Sequence, residues 1–104
     1  MPGETRRMEE RGTGLSPELM EPRLFAVILH NDDYTTMDFV VAVLMRVFQK
    51  TAEDAAAIMT NVHKTGEGVA GVYPFDIAVT KRLLAERMAE EKNYPLRISV
   101  TEAH

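Results

Sequence analysis

The 104-residue chain contains no cysteine. A disulfide framework and a thiolate metal site are therefore both excluded. No apolar run approaches the roughly 20 residues that a membrane-spanning helix needs. The N-terminus also lacks the apolar core of a signal peptide. Basic residues number 12 against 16 acidic ones, a net charge of −4, and no basic patch of the nucleic-acid-binding kind exists. No internal repeat, phosphate-cradling glycine loop, Ser-His-Asp order or paired-carboxylate site is visible. These absences point to a cytoplasmic protein that binds neither nucleic acid nor membrane.

What is present is ordinary in amount: 45% apolar and 27% charged residues fit a soluble globular protein. The length allows one domain. Residues 1–22 are interrupted by Pro2, Gly3, Gly12, Gly14, Pro17 and Pro22, with five acidic and three basic residues in short clusters. Such a composition buries too little surface to offset chain entropy, so a flexible tail is expected there. Leu15, Leu19 and Met20 could form a short transient helix. The remaining residues, 23–104, form the domain, and a core of this size gives modest stability.

The stretch Leu24–Phe39 organises that domain. Six apolar residues, Leu24 to Leu29, read as a buried strand. They stop at His30-Asn31-Asp32-Asp33, whose Asn and Asp side chains favour a turn. Thr35 with Asp38 three residues on predicts a capping box, and Tyr34 with Phe39 a hydrophobic staple. A helix then runs from about Thr36 to Gln49, with Met37, Val40, Val41, Leu44, Val47 and Phe48 at helical spacing. The acceptors of Asn31, Asp32 and Asp33 thus fall beside the first turns of an apolar helix. A turn with helix-start charges accounts for this cluster as well as a binding site does.

Thr51 with Asp54 predicts a second cap and a second helix. Its inner stripe is Ala55, Ile58, Met59 and Val62, and Gly66 and Gly68 end it. Val69–Tyr73 reads as a strand, with Gly71 allowing close backbone contact. Pro74 opens a third helix, with Ile77, Leu84 and Met88 inward and Leu83 and Ala85 beside them. Asn93-Tyr94-Pro95 is a turn. Leu96–Thr101 alternates as a half-buried strand. The order β-α-α-β-α-β predicts a two-layer α+β domain, a three-stranded antiparallel sheet with three helices on one side.

The run Asn31-Asp32-Asp33-Tyr34-Thr35-x-Met37-Asp38-Phe39-Val40 after an apolar strand resembles the ClpS family. These adaptors hand proteins with a destabilising first residue, an N-degron, to the Clp protease. Met59-x-x-Val62-His63, Gly66, Gly71-Val72, Thr80-Lys81 and Pro95-Leu96 follow at the family's spacings. The likeness covers Leu24 to about Glu102.

The resemblance implies a non-enzymatic adaptor without metal or cofactor. Asn31, Asp32 and His63 match positions that hold a substrate's free α-amino group. That group has a pKa of roughly 7.7–8.0 and is mostly charged at neutral pH. Each charge-assisted bond to it contributes about 1.5–3 kcal/mol. Asp33, Thr35, Met37, Val40, Met59, Val62 and Leu96 match the pocket for a bulky first side chain: Phe, Tyr, Trp or Leu. Met37 matches the gatekeeper that excludes Ile and Val. Asp76 and Lys81 match positions that dock the N-terminal domain of the Clp unfoldase, and a monomer is expected. The family's N-terminal tail serves delivery. Thr36 replaces a proline common in the family, and Pro74 stands where relatives often place a Ser or Thr cap.

Two other readings compete. A divalent-metal hydrolase would use His30, Asp32, Asp33 and His63, since imidazoles and carboxylates bind metal. A ribosomal-stalk-like module would share the two-layer shape but gives the acceptor cluster no purpose.

Overall fold

The computed structural model describes residues 23–103, so the expected N-terminal tail lies outside the described residues. The chain order is β1 (Leu24–His30), α1 (Met37–Arg46), α2 (Ala52–Thr65), β2 (Glu67–Pro74), α3 (Phe75–Glu91) and β3 (Arg97–Glu102). The sheet is antiparallel with β1 central between β2 and β3. Leu24 faces Pro74 at one end of the β1–β2 ladder, and His30 faces Glu67 at the other. Between them the register slips: Val27 faces Gly71 and Ile28 faces Val69, so Ala70 is an extra, fully buried residue. Such a bulge bends its strand locally.

The pleat of β1 sorts its side chains. Val27 and Leu29 are fully buried, whereas Leu24 on the opposite face is exposed. Burying a side chain of this size contributes about 1.5–3 kcal/mol. Val43 and Leu44 of α1, Ala55, Met59 and Val62 of α2, and Ile98 of β3 join Val27 and Leu29 in one core. The three helices thus cover one sheet face, as the alternation predicts.

Several local expectations need correcting. The residue that caps α1 is Thr36, not Thr35: Thr36 Oγ1 accepts from Phe39 N–H at 3.1 Å. Thr35 is taken by Asp32, which leaves its neighbour to cap. Moving the cap by one residue dissolves the staple, and Tyr34 is 75% exposed. Phe39 instead meets Tyr94 edge to face, with ring centroids 5.0 Å apart. α1 also ends earlier than Gln49. Val47 is its C-cap, Lys50 N–H reaches back to Leu44 O, and Gln49 takes the left-handed conformation.

Thr51 caps α2 as expected, accepting from Asp54 N–H at 3.1 Å. Gly66 closes it at φ 96°, where a side chain would be strained. Gly68 does not end the helix. It lies in β2, and a Cβ there would stand 2.7 Å from Val62 Cγ2. The bare Gly68 backbone therefore lets β2 lie close against α2. Beside Gly71 the space is filled by the Tyr73 ring, not by backbone.

α3 shows the largest departure. Its buried stripe is Ala78, Ala85 and Ala89, while Ile77, Leu83 and Leu84 are exposed. Small side chains let the helix approach the sheet closely, and that clearance selects alanine over the aliphatic stripe. Pro74 is the residue before the helix, without a side-chain cap, and it is also the last residue of β2. Arg23 and Glu102 pair through two hydrogen bonds of 2.8 and 2.6 Å, and Ala103 N–H donates to Leu24 O at 2.9 Å.

Candidate functional site

The polar turn after β1 is built around one carboxylate. Asp32 Oδ1 accepts from Tyr34 N–H at 2.8 Å and Thr35 N–H at 2.7 Å, and Oδ2 accepts from the Thr35 hydroxyl at 2.8 Å. A short acidic side chain at this position suits such a turn, because it can bond backbone two and three residues on. Partial burial pushes the Asp32 carboxyl up, but the bonds from Thr35 and Tyr34 outweigh it and hold it below its ordinary 3.8. The carboxylate is therefore ionised at neutral pH, and Oδ2 still has room for another donor.

Asn31 is fixed from another direction. Its backbone N–H donates to Gly66 O at 2.9 Å, and Gly66 N–H donates to Val62 O at 2.9 Å. The turn is thereby tied to the last turn of α2, where His63 stands exposed. The backbone of the turn and the C-terminal end of α2 are thus joined, while His63 makes no contact of its own with Asn31 or Asp32.

Beneath the rim is a narrow hollow. Leu29, Val40, Met59, Val62 and Leu96 form its apolar floor, and Asn31, Asp32 and Thr35 line its mouth. Each floor residue is buried. The hollow holds about 10 Å³, room for about one water molecule. An aromatic ring enters only when lining side chains part, and Met59 is the most pliable of them.

Of the residues predicted for substrate binding, the structure gathers Asn31, Asp32, Thr35, Val40, Met59, Val62 and Leu96 around this hollow. Asp33, Met37 and His63 do not line it. Met37 opens α1 and is 47% exposed. Leu29 was not among the predicted residues, though its inward position on β1 could have found it.

Of the two predicted docking residues, Asp76 is exposed in the first turn of α3. Lys81 is engaged inside the fold. Its ammonium donates to Val47 O and Gln49 Oε1, each at 2.7 Å, and lies 5.3 Å from the Tyr73 ring centroid. It thus satisfies a carbonyl at the end of α1, where a cation also complements the helix dipole.

The four residues of the hydrolase reading do not converge. His30 Nε2 is bonded to Ser99 Oγ at 2.8 Å, and Nδ1 lies 3.8 Å from Glu67 Oε1. Among the described residues no three His, Asp or Glu side chains come together as a metal-ligand set. No helix among the described residues is long and apolar enough to cross a membrane.

Comparison with known proteins gives a consistent result. The family described as "ATP-dependent Clp protease adaptor protein ClpS" matches residues 20–99. A relative from Syntrophus aciditrophicus, an ATP-dependent Clp protease adapter protein ClpS, is 55% identical over 85 residues, 82% of this chain and 79% of its own. One of the same description from Acetivibrio thermocellus is 56% identical over 79 residues, 76% of this chain and 80% of its own. A solved structure of Agrobacterium tumefaciens ClpS2 bound to L-phenylalaninamide superposes with a TM-score of 0.77 at 35% identity. It covers 80% of this chain and 100% of that one.

Proposed function

The chain belongs to the ClpS family of ATP-dependent Clp protease adaptors, and from that premise we propose that it captures proteins by a free N-terminus bearing Phe, Tyr, Trp or Leu and delivers them to the Clp unfoldase. One observation carries this reading: the 2.9 Å bond from Asn31 N–H to Gly66 O, which brings the Asn31–Asp32 turn to the His63 end of α2. The rim then offers a carbonyl oxygen, a carboxylate and an imidazole to an α-ammonium. The apolar floor below offers burial to the side chain on the same α-carbon. L-Phenylalaninamide, which a relative binds, carries these two groups.

In this reading Asn31, Asp32 and His63 accept from the ammonium. Thr35, Val40, Met59, Val62 and Leu96 surround the side chain, while Met37 and Asp33 stand at the mouth. The hollow widens on binding, chiefly through Met59 and Met37. Association costs roughly 4–15 kcal/mol in lost freedom, so bonds to the next peptide residues are needed and affinity is moderate. An acetylated terminus lacks the charge and two donors and is rejected. Asp76 and the face of α3 around it meet the unfoldase in the cytoplasm, the adaptor acting as a monomer.

The test is a fluorescence anisotropy titration with peptides that differ only in the first residue. Phe, Tyr, Trp and Leu peptides should bind, and Ala, Lys, Ile, Val and N-acetyl-Phe peptides should not. Equal binding of Phe and N-acetyl-Phe peptides would overturn the reading.

A further inference from the structure

His30 is a half-buried imidazole to which the amine-binding reading gives no task. It is the last residue of β1 and directly precedes Asn31. In the two ladders it pairs with Glu67 of β2 and Arg97 of β3. Strand alternation turns its ring away from the buried Leu29, onto the sheet face that the helices leave open. There Nε2 lies 2.8 Å from Ser99 Oγ, and Nδ1 lies 3.8 Å from Glu67 Oε1. Ser99 stands opposite Ile28, so the ring reaches diagonally along β3. Only 15% of the His30 side chain is exposed, which shields the Ser99 bond from competing water.

This strand end borders the hollow, where His30 stands between Leu29 and Asn31. One residue further on, Asn31 N–H donates to Gly66 O. Asn31 follows His30, and Gly66 precedes Glu67, so the ring contact and the amide bond join neighbouring residues of the same two segments. The three bonds to the Asp32 carboxylate come from Tyr34 and Thr35, within the turn itself. They set the shape of the turn but not its direction relative to the sheet. That direction depends on the strand end from which the turn departs, and the His30 ring grips that end from behind. The Ser99 hydroxyl can donate to Nε2 or accept from it, so the grip holds in either ring tautomer and in the charged ring.

We propose that His30 is a positioning residue for the amine-binding rim: through Ser99 and Glu67 it fixes the end of β1, and with it the direction in which Asn31 and Asp32 present their acceptors. The role rests on the adaptor reading above and adds to it a side chain on the far face of the sheet from the peptide. Groups that recognise a ligand by geometry need neighbours whose own rotamers are locked by bonds and packing. A shielded ring bonded to one flanking strand and close to a carboxylate of the other meets that need. The ends of a ladder otherwise open most readily, and this end carries the site.

The test compares the full chain with His30→Ala, Ser99→Ala and the double variant, by anisotropy with Phe- and Leu-initiated peptides and by amide hydrogen exchange. Each single variant should weaken binding of the Phe peptide about fivefold, the scale of one net hydrogen bond. The two side chains act as one unit, so the double variant should bind no more weakly than His30→Ala. The ratio of Phe to Leu affinity should hold, since the floor is untouched. Exchange of the Asn31 amide should quicken in every variant while that of Val43, inside α1, stays the same. General destabilisation would not give that local signature. Unchanged peptide affinity in His30→Ala overturns the proposal. So do losses that multiply in the double variant, and exchange that quickens at Asn31 and Val43 alike. Should His30→Ala fail to fold, Ser99→Ala, which keeps the ring, decides by the same affinity and exchange readouts. An unaltered chain that binds Phe and N-acetyl-Phe peptides equally overturns the adaptor reading, and this role with it. Peptide selection that survives while the variants behave like the unaltered chain overturns this role alone.

Discussion

Asn31 N–H donates to Gly66 O across 2.9 Å, joining the turn after β1 to the left-handed residue that closes α2. The bond continues the β1–β2 ladder, whose last pair is His30 and Glu67, and ties the turn to the end of α2. The turn carries Asn31 and Asp32; the helix end carries His63.

Asp32 has two tasks, and two substitutions separate them. Asp32→Ala removes the acceptor for Tyr34 and Thr35 and the anionic rim together, and should abolish detectable binding of Phe-initiated peptides. Asp32→Asn keeps an acceptor for both N–H groups but lacks the charge. It should fold like the unaltered chain and lose about tenfold or more in affinity, given about 1.5–3 kcal/mol for a charge-assisted bond. Anisotropy measures the binding and circular dichroism the fold. Full affinity in Asp32→Asn would remove the carboxylate from the site.

The same carboxyl makes stability depend on acid. Its folded pKa is held below 3.8 by the bonds from Thr35 and Tyr34, which exceed the opposing effect of partial burial. Its contribution is therefore fully present above the unfolded-state value and is lost as pH falls through the lower folded value. Urea unfolding at a series of pH values should show an acid limb below about pH 4. That limb should be shallower in Asp32→Asn.

Two adjacent threonines play unlike parts. Thr36→Ala removes the α1 cap and should cost about 0.5–2 kcal/mol in urea unfolding. Thr35→Ala leaves that cap in place but frees Asp32 Oδ2, so peptide affinity should change more than stability. Equal loss of stability in both variants would contradict the cap assignment.

Gly68→Ala places a methyl 2.7 Å from Val62 Cγ2, and Val62 belongs to the floor of the hollow. The clash should cost about 1–3 kcal/mol and also weaken peptide binding, because the displaced valine narrows an already tight hollow. Measured affinity that stays constant while stability falls would show that Val62 moves away from the site.

Met37→Ala tests the gatekeeper role. Met37 is exposed at the start of α1 and does not line the hollow. If its bulk screens entering side chains, Ile- and Val-initiated peptides should gain affinity while the Phe peptide changes little. Hydrophobic shape selection of this kind is worth about 1–3 kcal/mol per methylene. No gain for Ile and Val peptides would assign selection to the floor alone.

Much of the fold was legible because it rests on strong local signals. The six-residue apolar run, the Thr51 cap and Gly66 each lie where the sequence predicts. The errors share one cause: close packing chose between neighbouring candidates that sequence cannot rank. Thr35 and Thr36 are both good caps, and only the Asp32–Thr35 bonds decide which is free. Ile77-Leu84-Met88 and Ala78-Ala85-Ala89 share a period, and only the clearance to the sheet decides which faces inward. At the site, spacing alone left the polar cluster open between turn and binding site and the apolar residues as core; the resemblance to the ClpS family named Asn31, Asp32, Thr35, Val40, Met59, Val62 and Leu96, which line one hollow. The narrowness of the hollow and the internal engagement of Lys81 were not legible, since both depend on atoms from segments distant in sequence.

β1 is the middle strand, bonded on both sides, and Arg23 leads into its first residue, Leu24. A tension applied to the N-terminus therefore acts along β1 and shears two ladders at once, with the Arg23–Glu102 clasp loaded first. Extraction from that end has to break both ladders of β1 together rather than peel one strand from an edge.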